Sequence, residues 1–251
     1  VTTNKGMVFA TAHDVELGAV VIACELQSGN YLASYEFHDF DITCLTSLDS
    51  DGTDLLYLVD PGFKYNFQDR DELQDLSLEE RFTMTDALYS LNIRTAEVNK
   101  LLDVTVNGFR NPTAVLLDKS AGMVFVNQGY EENQIWTLDY TSGELLSTFK
   151  APSFGTLDSI IKFGQKGGLE KGYLINCVDE YSRTSTVYSF EATGEGKFYE
   201  VIEGVEGRGI TLDTKRKTLL LPDLTLSEAL LSHTDAFNQG LVHRYELIRR
   251  S

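Results

Sequence analysis

Residues 108–149 read GFRNPTAVLLDKSAGMVFVNQGYEENQIWTLDYTSGELLSTF, and this stretch decides the fold. Four short runs stand in it: Ala114–Leu117, Met123–Asn127, Ile135–Tyr140 and Leu145–Phe149. They are rich in Val, Leu, Phe and Thr and are separated by Asp, Gly, Ser and Asn. That is the pattern of antiparallel strands joined by tight turns. Labelled A to D in order, they form one four-stranded unit of about 45 residues.

The third run carries a five-residue motif, two apolar or aromatic positions, a variable one, an apolar one, then Asp, Glu or Asn. It recurs as Val21-Ile22-Ala23-Cys24-Glu25, Leu88-Tyr89-Ser90-Leu91-Asn92, Ile135-Trp136-Thr137-Leu138-Asp139, Val187-Tyr188-Ser189-Phe190-Glu191 and Val242-His243-Arg244-Tyr245-Glu246. The spacings are 67, 47, 52 and 55 residues, from first positions 21, 88, 135, 187 and 242. Other markers keep the same beat. Gly6-Met7-Val8-Phe9 returns as Gly122-Met123-Val124-Phe125. Leu48-Asp49, Leu117-Asp118 and Leu212-Asp213 each close an apolar run, and Ser28-Gly29, Ser142-Gly143 and Thr193-Gly194 follow the motif where a hairpin needs positive φ.

A repeat of four-stranded units predicts an all-β fold, a β-propeller of about five antiparallel blades filling residues 1–251 as a single domain. A β-sandwich has no reason to repeat its sequence. No helical pattern alternates with the strands, which argues against a parallel βαβ sheet. The phase of the repeat puts strands B, C and D first (6–37) and A, B and C last (210–247). Two readings stay open: five blades closed irregularly, or six blades with one N-terminal blade missing.

Residues 108–149 resemble blades of the NHL, YVTN and SMP-30/gluconolactonase-like propellers. The shared features are Pro112 before strand A, Asp118 after it, Ile135-Trp136-Thr137-Leu138-Asp139, and the glycine turn at Gly143. The segment Gly207-Arg208-Gly209-Ile210-Thr211-Leu212-Asp213 looks similar. The resemblance implies architecture, which several unrelated functions share.

Composition narrows the partners. Against 21 Lys and Arg stand 38 Asp and Glu, a net charge of −17. Phosphate neutralisation needs the opposite balance, so nucleic acid and anionic membrane surfaces are argued against. Basic proteins, cations and neutral small molecules remain. No apolar run is long enough to span a bilayer. Cys24, Cys44 and Cys177 are odd in number and sit in apolar runs, as buried thiols do. Cytoplasm and an exported location both stay open.

Successive connections in such a blade alternate between two faces. The B–C loops and the D–A crossings share one. Both insertions fall there: Pro61–Asp86 and Leu224–Gln239, each with helical capping signals such as Ser77-x-x-Glu80 and Thr225-x-x-Glu228. Long loops on one rim mark a binding face. Its expected residues are His13, Asp14, Asp60, Gln128, Tyr130, Glu131, Glu132, Asp179, Glu180 and Arg208.

The ends of the B strands are polar throughout, and oxygen donors of this kind suit calcium or another divalent metal. They equally suit turns. In the lactonases that the chain resembles, Glu and Asn/Asp side chains hold a divalent metal, and this implies Asn127, Asn176 and Asp223 as ligands; no counterpart of the N-terminal Glu is found. No nucleophile elbow, zinc spacing or phosphate loop occurs, and no catalytic residue is assigned. Three functions follow: a non-enzymatic propeller binding a protein partner through its acidic B–C face, a metal-dependent lactonase- or esterase-like hydrolase, and a small-molecule or carbohydrate-binding module.

Overall fold

The computed structural model describes residues 1–14, 18–37, 42, 45–62, 86–103, 109–128, 133–152, 155–163, 172–179, 184–192, 195–205, 209–213, 216, 218–222 and 242–246. Their regular structure is extended throughout, in five antiparallel sheets. The first is β1 (Thr2–Asn4), β2 (Met7–Asp14), β3 (Gly18–Glu25) and β4 (Tyr31–Glu36), and the second β5 (Ser47–Ser50), β6 (Leu55–Asp60), β7 (Ala87–Asn92) and β8 (Val98–Asp103). The third is β9 (Pro112–Asp118), β10 (Met123–Gln128), β11 (Gln134–Asp139) and β12 (Leu145–Lys150). The fourth is β13 (Thr156–Phe163), β14 (Gly172–Asp179), β15 (Thr184–Glu191) and β16 (Lys197–Val205), and the fifth β17 (Thr211–Asp213), β18 (Thr218–Pro222) and β19 (Val242–Glu246). In every sheet the strands pair in chain order.

All five copies of the sequence motif occupy the third strand of a sheet. In the two copies that end in Asp139 and Asn92 the last residue has a local role. Asp139 Oδ1 accepts the N–H groups of Thr141 (2.9 Å) and Ser142 (2.7 Å), and Asn92 Oδ1 accepts those of Arg94 (2.9 Å) and Thr95 (3.2 Å). The side chain thus builds the turn that leads into the fourth strand. These N–H groups hold the Asp139 carboxyl below the ordinary carboxylate range. Gly143, at φ 73°, closes the same turn by donating its N–H to Asp139 O at 2.9 Å.

The expected phase needs one correction. Thr2–Asn4 pairs with Met7–Phe9, so the first sheet carries its own A strand and starts in the same phase as the others. Three polar residues, Thr2-Thr3-Asn4, give no apolar signal in the sequence; pairing alone makes them a strand. The fifth sheet holds strands A, B and C, as the sequence predicts. The helical insertions expected at 61–86 and 224–239 lie almost wholly outside the described residues.

The chain divides into two compact units, Val1–Gln128 with Trp136–Ser147, and Gly129–Ile135 with Thr148–Ser251. In the first, strand β6 is buried on both faces. Leu56 and Leu58 pack with Phe9, Val21 and Tyr89, while Val59 packs with Val115, Val124, Val126 and Trp136. Phe109 meets Trp136 edge to face at 5.4 Å. Asp49 ties the A strands of this unit together: its Oδ1 accepts Thr2 Oγ1 (3.1 Å) and its Oδ2 the N–H of Leu117 (2.8 Å). Burial nevertheless pushes the Asp49 carboxyl above its ordinary value. In the second unit Leu174 and Val187 pack with Ile210, Leu219 and Leu221.

Candidate functional site

In the first unit the polar groups gather where β6 and β10 end and where the chain enters β7 and β9. Asp60 closes β6, fully buried, and its Oδ1 accepts the Gly62 N–H at 2.7 Å. Asp86, also buried, accepts the Asn111 N–H at 2.7 Å. Asn111 sits at φ 45°, a left-handed conformation that Asn tolerates better than most residues. With the side-chain amide turned so that its nitrogen faces the nearby acceptors, Asn111 donates to Pro61 O (3.3 Å) and to Asp86 Oδ1 (3.1 Å) and joins the ends of the 61–86 insertion. Gln128 Oε1 accepts the Arg110 N–H at 3.1 Å. Burial raises the Asp86 carboxyl above its ordinary value, opposed by the Asn111 N–H and by the charge of Arg110.

Asn127 differs from all of these. It is fully buried, and neither its Oδ1 nor its Nδ2 finds a partner among the described residues. A buried amide left unpaired costs about 1–3 kcal/mol. Such a cost is expected where the group is kept for a ligand. The register beside it is irregular: Asn127 faces Ala114 and Gln128 faces Pro112, which leaves Thr113 as an extra residue on β9. Bulges of this kind gather next to functional sites, where they re-aim a side chain.

The second unit repeats the arrangement within its own sheet. Asn176 is fully buried on β14, and its Oδ1 and Nδ2 again find no partner among the described residues. On β13 the register passes from Leu157 opposite Cys177 to Ser159 opposite Asn176, which leaves Asp158 as the extra residue. Asp158 Oδ2 accepts the Gly209 N–H at 2.6 Å. Ser159 Oγ is buried and also has no partner among the described residues. Burial, with the Asp158 charge added, pushes the Cys177 thiol up to about 12, so this buried cysteine stays a neutral thiol.

Set against the sequence, Asp60 and Gln128 lie in the interior, fully buried, and Asp179 ends β14 partly exposed. His13 and Asp14 belong to β2, and Tyr130, Glu131, Glu132, Glu180, Arg208 and Asp223 lie outside the described residues. Asp86, Asn111 and Ser159 were not expected. Asp86 and Asn111 flank motifs that the sequence does show; nothing in the sequence marks Ser159. Among the described residues no three His, Cys, Asp or Glu side chains come together as a metal centre. No helix among them is long and apolar enough to cross a membrane.

The fold defines a β-propeller. Among solved structures the chain is similar to a gluconolactonase of Xanthomonas campestris, at 12% identity and a TM-score of 0.58, over 86% of this chain and 65% of that one. It is also similar to a chain in the structure of a mitotic checkpoint complex, at 10% identity and a TM-score of 0.52, over 88% of this chain and 59% of that one. The chain thus spans less than two thirds of the length of either neighbour. At these identities the likeness concerns fold alone. No protein-family model and no curated protein matches the sequence.

Proposed function

We propose that the protein takes a small ligand at the ends of its B strands, and that it is a metal-dependent hydrolase of the lactonase type. The observation that carries this reading is the buried, unpartnered amide of Asn127, repeated independently in Asn176. An amide oxygen is a hard neutral donor of the sort that calcium accepts. The donor type therefore fits a divalent cation, with Asn127 as an oxygen ligand in the first unit. The lactonase neighbour supports the reading at the level of fold. A bound divalent ion would polarise a lactone carbonyl and acidify a water. The chain's own part is to exclude water around Asn127 and to hold its amide fixed beside the β9 bulge.

Binding of a protein partner through the acidic face ranks behind this. Two residues expected on that surface, Asp60 and Gln128, are fully buried. The test is a thermal-shift screen with calcium, magnesium, manganese and zinc, with and without EDTA, joined to an assay for proton release on lactone opening. The reading expects a metal-dependent rise in melting temperature and turnover that Asn127→Leu abolishes. No response to any metal together with no turnover refutes it.

A further inference from the structure

In the second unit three buried polar atoms on directly paired residues have no partner among the described residues: Ser159 Oγ, Asn176 Oδ1 and Asn176 Nδ2. Ser159 and Asn176 are directly paired residues of β13 and β14, so their side chains share one face of the sheet. The bulge at Asp158 brings this about. Leu157 shares the Cys177 face, and in a regular strand Ser159, two residues on, would share it too. The extra residue turns Ser159 to the other face, beside Asn176, and the Gly209 N–H anchors the Asp158 carboxylate at 2.6 Å. The face so formed continues into Leu174, which packs against Ile210, Leu219 and Leu221. The polar pair therefore adjoins an apolar wall.

Chemistry selects what can fill it. A cation satisfies Asn176 Oδ1 but leaves its two N–H groups unanswered. An anion satisfies those N–H groups but not Oδ1, and Asp158 is a neighbouring negative charge. A hydroxyl group both donates and accepts, so it can answer the amide oxygen, the amide nitrogen and the serine together. We propose that Ser159 and Asn176 form a binding site for a single O–H group, with Ser159 as a contact residue. The group comes from a buried water, which needs two to four polar partners, or from a hydroxyl-bearing small molecule. The inference lies within the second unit and needs no metal.

The test is therefore run in EDTA on isotope-labelled full chain, reading the side-chain amide protons of Asn176, assigned by their loss in Asn176→Leu. The probes are water, through magnetisation exchange to those protons, and glycerol, through their chemical shift. A water contact that vanishes in Ser159→Ala identifies a buried water. A glycerol-dependent shift that at least three-fold weaker binding in Ser159→Ala reduces identifies a ligand hydroxyl. Ser159→Thr keeps the oxygen and must preserve whichever signal appears; this variant decides the matter if Ser159→Ala does not fold. Absence of both signals, or a signal indifferent to Ser159→Ala, or one lost in Ser159→Thr, overturns the proposal. Because metal is excluded, a failure here is distinct from a failure of the metal screen.

Discussion

Asn127→Leu should make the metal-free protein more stable. Leucine has the same branched skeleton as asparagine, with methyl groups where Asn127 carries Oδ1 and Nδ2. Both atoms are buried and unpartnered among the described residues, on the face of β10 that also carries buried Phe125, with buried Ala114 opposite on β9. Leaving such a group unpaired costs about 1–3 kcal/mol, so its removal should return about 2 kcal/mol. For a chain of this size that is a rise of roughly 4–8 °C in melting temperature. Guanidinium unfolding in EDTA measures the gain as a shift of the midpoint at unchanged slope. Calcium added to the wild type should raise its stability by mass action, and should do nothing to the variant. A loss of stability of similar size in EDTA, with the metal response intact, would refute the reasoning: the amide would then be a structural group, satisfied in solution.

Three further outcomes follow from the same geometry. Tyr140 donates its hydroxyl to Asp51 Oδ2 at 2.5 Å, and burial followed by this bond raises the phenol above its ordinary range. A double-mutant cycle of Tyr140→Phe with Asp51→Asn should give a coupling of about 1 kcal/mol, reduced from the charged-bond range by partial exposure; a coupling near zero would remove this bond from the list of stabilising contacts. Burial raises the folded-state value of Asp49 above the unfolded value of roughly 3.9. The folded state then binds the proton more tightly, so this group's contribution falls as pH rises from the unfolded to the folded value. Urea midpoints followed from acid to neutral pH should show the wild type losing ground to Asp49→Asn across that window; parallel curves would contradict it. Gly155 lies at φ +74°, and a Cβ there would sit 2.7 Å from Val178 O. Gly155→Ala should cost more than about 2 kcal/mol, since backbone at both ends of the clash cannot yield cheaply; a melting temperature within a degree of wild type would count against the placement of this turn.

The repeat was legible because it is enforced locally. Each third strand carries apolar residues for burial and then Asp, Glu or Asn at its turn, so Ile135-Trp136-Thr137-Leu138-Asp139, where Asp139 caps the turn, and its copies carry both signals at once. Asn127 and Asn176 were legible as polar interruptions in apolar strands. Their lack of partners was not, because satisfaction of a hydrogen bond depends on what the other strands bring. The strand at Thr2–Asn4 was hidden for the same reason: polar residues become a strand only when Met7–Phe9 is there to pair with them. Asp49 reads like the turn-forming Asp118, yet it spends its carboxylate on Thr2 and Leu117 instead.

By itself, then, the sequence determined the four-stranded unit, its repetition and the strands on which the buried polar groups sit, since these follow from periodicity and turn chemistry within a few residues. Only the tertiary structure decided which faces those groups occupy. A bulge of one residue at Thr113 or Asp158 reverses every side chain beyond it. That reversal sets Ser159 against Asn176, and it is fixed by pairing between strands rather than by the order of residues along either one.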